Sequence, residues 1–326
     1  MTPEGQQRIR FLLLLLGVLL LAWVIYQAGP EKVLETARAG LGYLPYLVLC
    51  NAAYYLFEAL GQRVLLGPER RLIPTAVFLR TTLAAFVANV LLPAGRAGAE
   101  TVRVTAYAKY VGGTRTLAAS AAFQVPALWA TAILIGPCAV VGAAALGARA
   151  PLTWVFAIHA GGSALLGCIL FLLLRKATLG QRVGRWFPRF AARAVAFDEA
   201  TTFPSRRYLS ALGWAVAARV TEVAVFALVF LAVGLPVLPT RVLLAVGIQV
   251  VGGTVGEAIP GQLGAVEGSF SLFAGALGLE PLSSLAVAIP LLVRVGQYTL
   301  AALALAFLSP SLGRRGLKDD SSATPP

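Results

Sequence analysis

The stretch Gly256-Glu257-Ala258-Ile259-Pro260-Gly261-Gln262-Leu263-Gly264-Ala265-Val266-Glu267-Gly268 decides how this chain is read. It holds two carboxylates, one proline and four glycines, yet it lies between two apolar runs, Val242–Val255 and Ser269–Leu279. Neither run reaches the ~20 residues that a bilayer-spanning helix needs. A charged, helix-breaking segment in hydrocarbon is costly unless protein or a water-filled cavity surrounds it. The stretch is therefore expected to be part of a site.

The hydrocarbon setting follows from composition. The chain has 326 residues, of which 58% are hydrophobic and 13% charged, with a mean hydropathy of +0.80. Soluble domains carry about twice that charge. Apolar stretches near spanning length recur from Phe11 to Leu308, and no soluble domain fits between them. Residues 309–326 are polar and are expected to form a disordered cytoplasmic tail.

The net charge of +13 does not point to nucleic acid, because the bases sit in loops between apolar runs. That pattern points to the anionic inner leaflet as partner. Cys50, Cys138 and Cys168 all lie in apolar runs, which favours packing over a disulfide framework. His159 is the single histidine, so no His/Cys metal site is expected, and no motif calls for a cofactor. The N-terminus resembles a signal peptide, but Trp23, Val24, Ile25 and Tyr26 stand where small cleavage-site residues belong. An uncleaved first helix is expected.

Full spans are expected at Phe11–Ala28, Tyr43–Gln62, Leu117–Leu146, Leu152–Leu174, Tyr208–Gly234 and Ser283–Leu308. Two regions are ambiguous: 75–110, broken at Leu92-Pro93-Ala94-Gly95, and 242–279, broken at Pro260-Gly261. If both are single spans, the basic loop Arg175–Arg207 falls outside, against the positive-inside rule. If both are re-entrant hairpins, nineteen of the 27 lysines and arginines collect inside with both termini. The half-helices Leu83–Leu92 and Val242–Glu257 would be roughly 15 and 24 Å long, short of the ~30 Å core.

The expected fold is thus an all-α integral membrane protein with six full spans and two re-entrant hairpins. Each half reads span, span, hairpin, span, but in opposite orientation. Residues 1–147 and 148–308 are therefore expected to be inverted repeats, a recurring transporter architecture. Both hairpin tips place a glutamate seven residues after a proline, Pro93 with Glu100 and Pro260 with Glu267. The segment 175–207 is expected to lie on the cytoplasmic surface as a basic amphipathic stretch.

A half-helix that begins inside the membrane points free N–H groups and a positive dipole end at its surroundings, ready for an anion. Arg96 stands beside such a start and is a candidate phosphate ligand. Arg294 sits mid-span, where it needs a partner. Glu257 and Glu267 are the candidates for an ion pair, a headgroup phosphate is the alternative, and a pair that opens for substrate is compatible with both. Glu100 and Glu267 are equally readable as helix caps, a role that does not suit Glu257. Arg219 and Glu222 are three apart and pair readily with each other. Glu58 is read with Arg80 near the inner boundary, and Tyr54, Tyr55 and Gln124 as packing residues. Gln262 is a secondary candidate within the break.

Pro93–Arg103 (PAGRAGAETVR) and Pro260–Gly268 (PGQLGAVEG), followed by an arginine in the last span, resemble the lysylphosphatidylglycerol synthase transmembrane family. The similarity covers about Arg10–Leu308. It implies a flippase-like protein of the bacterial inner membrane that handles lipids or lipid-linked headgroups. By that resemblance Gly98 and Glu100 match the first motif, Pro260, Gly261, Gly264 and Glu267 the second, and Arg294 the final-span arginine. Two departures stand out. No soluble aminoacyl-transferase domain is expected, and many relatives carry a charged cluster in the span after the first hairpin where this sequence offers only Gln124. The expected function is translocation of a lipid or lipid-linked anionic headgroup bound between the hairpin tips. The alternatives are a non-transporting partner in envelope-lipid or glycan biosynthesis, and a membrane-embedded transferase with Glu267 or Glu257 as general base.

Overall fold

The computed structural model of the chain describes residues 15, 18–19, 21–92, 95–176, 185–186, 191–201, 203–257, 259–281 and 283–316. Every regular element among them is helical. The α-helices are α1 (Pro30–Ala39), α2 (Leu44–Leu65), α3 (Thr75–Leu91), α4 (Gly95–Val111), α5 (Gly113–Leu146) and α6 (Pro151–Arg175) in the first part of the chain. They continue with α7 (Ala191–Ala200), α8 (Ser205–Ala232), α9 (Pro239–Val255), α10 (Ala265–Leu272) and α11 (Ser284–Gly316). Of the stretches named above, Pro93, residues 317–326 of the tail and much of the basic segment 175–207 lie outside the described residues, while residues 309–316, expected to be disordered, continue α11 as helix.

Among the described residues four helices are long and apolar enough to cross a bilayer: α5, α6, α8 and α11 up to Leu308. Six were expected, and the difference has a physical cause. Helix α2 has 22 residues, or about 33 Å, so its length suffices. Its interior, however, carries Asn51, Glu58, Gln62 and Arg63, and Asn51 and Gln62 are buried inside the protein. The first expected span is described continuously only from residue 21. Residues 21–28 are helical and bury Val24 and Ala28 against Val33 and Val287.

The two ambiguous regions each form a pair of helices joined at a break. Helices α3 and α9 both have 17 residues, about 25 Å, apolar but short of a crossing. Helix α3 starts at Thr75, well before Leu83, because its threonines do not interrupt it. Thr82 Oγ1 donates to the Phe78 carbonyl at 2.9 Å, so the hydroxyl is satisfied within its own helix. The returning arms differ: α4 has 17 residues, whereas α10 has only eight and follows a 3₁₀ turn at Pro260–Gln262.

Helix α11 joins these parts, packing on α1, α2, α3 and α10, while α2 packs lengthwise against α8 and α5 against α6. The turn Pro260–Gln262 rests on α3, and a Cβ placed on Gly261 would stand 3.6 Å from the Val90 carbonyl oxygen. The second break therefore sits against the end of the helix that leads to the first. One apolar core fills the α5, α6, α8 and α9 side, with Phe156, Phe226, Phe230 and Ile135 fully buried. A second surrounds Phe78, Phe123 and Tyr208.

The return of α10 onto α9 requires small residues. A Cβ on Gly252 would lie 2.7 Å from Ser269 Oγ and 3.2 Å from the Val266 Cα, and one on Gly256 would lie 2.8 Å from the Ala265 Cβ. Gly252→Val is expected to push α10 off α9 and cost about 1–3 kcal/mol, the usual range for overpacking. Gly136→Ala, where nothing lies within 4 Å, is the matched control and is expected to hold or raise stability. Thermal unfolding of both variants in detergent checks this.

Candidate functional site

A cavity of about 790 Å³ lies among α2, the two helix breaks, α5, α6, α8, α9 and α11. Four arginines (Arg96, Arg103, Arg219, Arg294) and four glutamates (Glu58, Glu100, Glu222, Glu257) line it. A charged side chain at mid-membrane costs about 2.5–3.5 kcal/mol even on insertion scales, so eight would cost on the order of 20 kcal/mol in plain hydrocarbon. A cost of that size is tolerable only if the groups pair with one another and face a polar interior. Both conditions hold here for most of them.

The second break is built around Arg294. Its Nε donates to Glu267, one terminal nitrogen to the Gly261 carbonyl, and the other to the Gln262 carbonyl at 2.8 Å and to Glu267 Oε2 at 3.3 Å. Glu267 is 0% exposed and Arg294 8%. The backbone explains why the carbonyls are available. Gly261, Gln262 and Gly264 all have positive φ, at 62°, 57° and 76°, so the chain leaves helical geometry and its carbonyls lose their i+4 partners. Gln262 is the single non-glycine residue in that region among the described residues, an uncommon conformation held by its surroundings.

Glu267 also caps α10, accepting from the Gly264 N–H at 2.8 Å. Its two sequence readings, cap and ion-pair partner, are both realised. It does not reach the cavity wall, and neither does Gly264. Arg294 turns all three of its nitrogens to the break it holds.

The first break differs. Glu100 is the sixth residue of α4, beyond the first turn where a cap sits. It accepts from Gln62 Nε2 at 2.9 Å and from Arg103 at 2.7 Å, and Gln62 donates as well to Ser120. Arg96 faces the cavity from the first turn of α4 without a carboxylate partner among the described residues. Gly98 lies off the cavity, packed 3.1 Å (as its added Cβ) from Leu92.

Between the breaks, α2 and α8 contribute a third cluster. Arg219 donates to Glu222 at 2.8 Å, to the Tyr54 hydroxyl at 3.0 Å and to Thr131 Oγ1 at 3.0 Å. Tyr54 in turn donates to Glu58 at 3.2 Å. The expected Arg219–Glu222 pair is thus present, within a wider network. The reading of Glu58 with Arg80 is corrected: Arg80 is exposed on α3, and Glu58 turns inward to Tyr54 because both lie on the cavity face of α2.

Tyr54 and Tyr55, read as packing residues, line the cavity, as do Asn51, Asn89, Gln249, Gln297 and Tyr298. The signal that would have found the α2 group is its spacing. Asn51, Tyr54, Tyr55, Glu58 and Gln62 recur at helical period, a polar stripe on an otherwise apolar helix. Gln124 lies off the cavity and makes only a 3.4 Å contact to the Ser120 carbonyl. Glu257 and Gln262 line it; Glu257 is exposed and has no cationic partner among the described residues. No group of three or more potential metal ligands occurs among the described residues.

Breaking the second clamp is expected to be expensive. Glu267→Gln leaves a buried guanidinium without its counter-charge, which typically costs 3–5 kcal/mol. The double variant Glu267→Leu/Arg294→Leu is expected to lose less than the sum of its two singles, since the partners are coupled. Unfolding of the four proteins in mixed detergent micelles measures that coupling, and strict additivity would contradict it.

The sequence model of one family, described as the lysylphosphatidylglycerol synthase TM region, matches residues 10–304. No curated protein and no solved structure matches the chain.

Proposed function

The chain belongs to the family of the lysylphosphatidylglycerol synthase TM region, and from that membership we propose that it is a flippase-like transporter that moves a lipid or lipid-linked anionic headgroup across the bacterial inner membrane. As a multi-pass membrane protein of a lipid-related family it has the solvent and the substrate class at hand. The observation that carries the reading is the charged cavity of about 790 Å³, set within a chain of mean hydropathy +0.80. A polar chamber of that size fits a headgroup while acyl chains remain in lipid.

In this reading the two helix pairs are re-entrant and the halves are inverted, with both termini and the 175–207 segment on the cytoplasmic side. The headgroup binds between α4 and the second break. Arg219, with Tyr54 and Glu222, forms a wall that ties α2 to α8. Glu257, without a cationic partner among the described residues and at the rim of the second break, is positioned to contact the non-phosphate part of a headgroup. The Arg294–Glu267 clamp keeps the second tip seated on α3, and its displacement would open the cavity from one side.

The test is movement of headgroup-labelled phospholipid between leaflets of proteoliposomes. The parent protein is expected to accelerate it without changing the lipid covalently, and Glu257→Gln and Arg219→Gln are each expected to slow it at least about tenfold. A covalently altered lipid would replace this reading with the membrane-embedded transferase. No movement in folded, reconstituted protein would leave the partner role in lipid biosynthesis as the reading that survives.

A further inference from the structure

We propose that α4 carries the phosphate subsite of this cavity, formed by Arg96 and Arg103 on one helix face, with Arg103 as a headgroup ligand in its own right. This deepens the lipid-handling reading and rests on it.

The argument starts from spacing. Arg96, Ala99, Glu100 and Arg103 all line the cavity, and their separations of three, four and seven residues put them on one side of a helix. Arg103 is 6% exposed, and one terminal nitrogen is held by Glu100 at 2.7 Å. Glu100 is itself held by Gln62 at 2.9 Å. That chain of bonds fixes the guanidinium and leaves part of it unused. Its Nε is buried and has no hydrogen-bond partner. Its second terminal nitrogen makes no hydrogen bond among the described residues, and on a side chain that lines the cavity it is the donor left for a bound anion.

Charge accounting places the anion on this wall and no other. Arg294 is paired with Glu267 and gives its other contacts to two carbonyls, and Arg219 is paired with Glu222 and bonded to Tyr54 and Thr131, so the charge of each is compensated. Elsewhere on the cavity surface the groups without a cationic partner among the described residues are carboxylates, Glu58 and Glu257. Uncompensated positive charge therefore lies on α4, at Arg96. Two planar guanidinium forks approaching from separate points suit a phosphate, whose oxygens point in several directions. A carboxylate offers two oxygens in one plane and serves one fork at a time. The positive end of α4, beginning at Gly95, adds attraction of the same sign.

Binding to the full-length protein in detergent, followed by calorimetry, tests this with three probes: dioctanoyl phosphatidate, dioctanoylglycerol and inorganic phosphate. The parent is expected to bind phosphatidate at least about tenfold more tightly than dioctanoylglycerol. Arg96→Gln and Arg103→Lys are each expected to weaken phosphatidate about tenfold or more, the scale of one charge-assisted contact, and to leave dioctanoylglycerol unchanged. Lysine at 103 keeps the charge facing Glu100 while removing the fork, and Arg96 is exposed and without an ion-pair partner among the described residues, so both variants retain the fold's contacts. Parental phosphatidate affinity in both variants would overturn the subsite. If inorganic phosphate binds as tightly as phosphatidate and needs both arginines, the subsite stands and the lipid reading fails. If both variants move labelled phospholipid at the parental rate, the lipid reading stands and the subsite fails.

Discussion

The structure depends on a guanidinium that replaces a stretch of helix. Where α9 ends and α10 begins, three residues with positive φ expose backbone carbonyls inside an apolar chain, where unpaired polar backbone is hardly tolerated. Arg294 takes two of those carbonyls and the carboxylate of Glu267 together. Glu267 meanwhile caps the helix that follows. One buried pair thus closes the break on three sides. It also fixes the turn Pro260–Gln262 against α3, so the position of the second break relative to the first is set by the same interaction.

That use of Arg294 changes the chemistry available in the cavity. The charge of Arg294 is spent largely on carbonyls and a carboxylate, and that of Arg219 is balanced by Glu222 within its own network. The remaining positive charge stands on α4, beside the first break. The two breaks therefore differ in kind, although the sequence motifs that mark them look alike. The second is closed by protein groups, and the first retains unpaired donors. The asymmetry is one that would orient the headgroup proposed to bind there.

Much of this was legible in the chain itself. Composition and run lengths specify an all-helical membrane protein, and the Pro-Gly breaks mark both helix pairs. The partner of Arg294 was narrowed to Glu257 or Glu267, and the structure selects Glu267 because it alone sits in the first turn of α10 facing α11. Other features were hidden by competing principles. A count of apolar residues marks α2 as a span but passes over the polar stripe at helical period that makes one of its faces a cavity wall. Glu58 and Arg80 looked like partners by proximity to a boundary, but helix rotation, which sequence distance does not encode, sends one inward and the other out. Arg103 closes the quoted first motif, and its setting depends on Gln62, 41 positions away in sequence, which holds Glu100 in place.

The central claim is that the cavity between the two breaks receives a lipid headgroup. Thr254, which is exposed and lines that cavity, is a site for a photoreactive amino acid, with Val140, on the outer face of α5 and 70% exposed, as the comparison. Irradiation in membranes carrying phospholipid labelled separately in headgroup and acyl chain, followed by mass analysis of the adducts, reads the occupant directly. The account predicts headgroup adducts at 254 and acyl-chain adducts at 140. Acyl-chain adducts at both positions would contradict it.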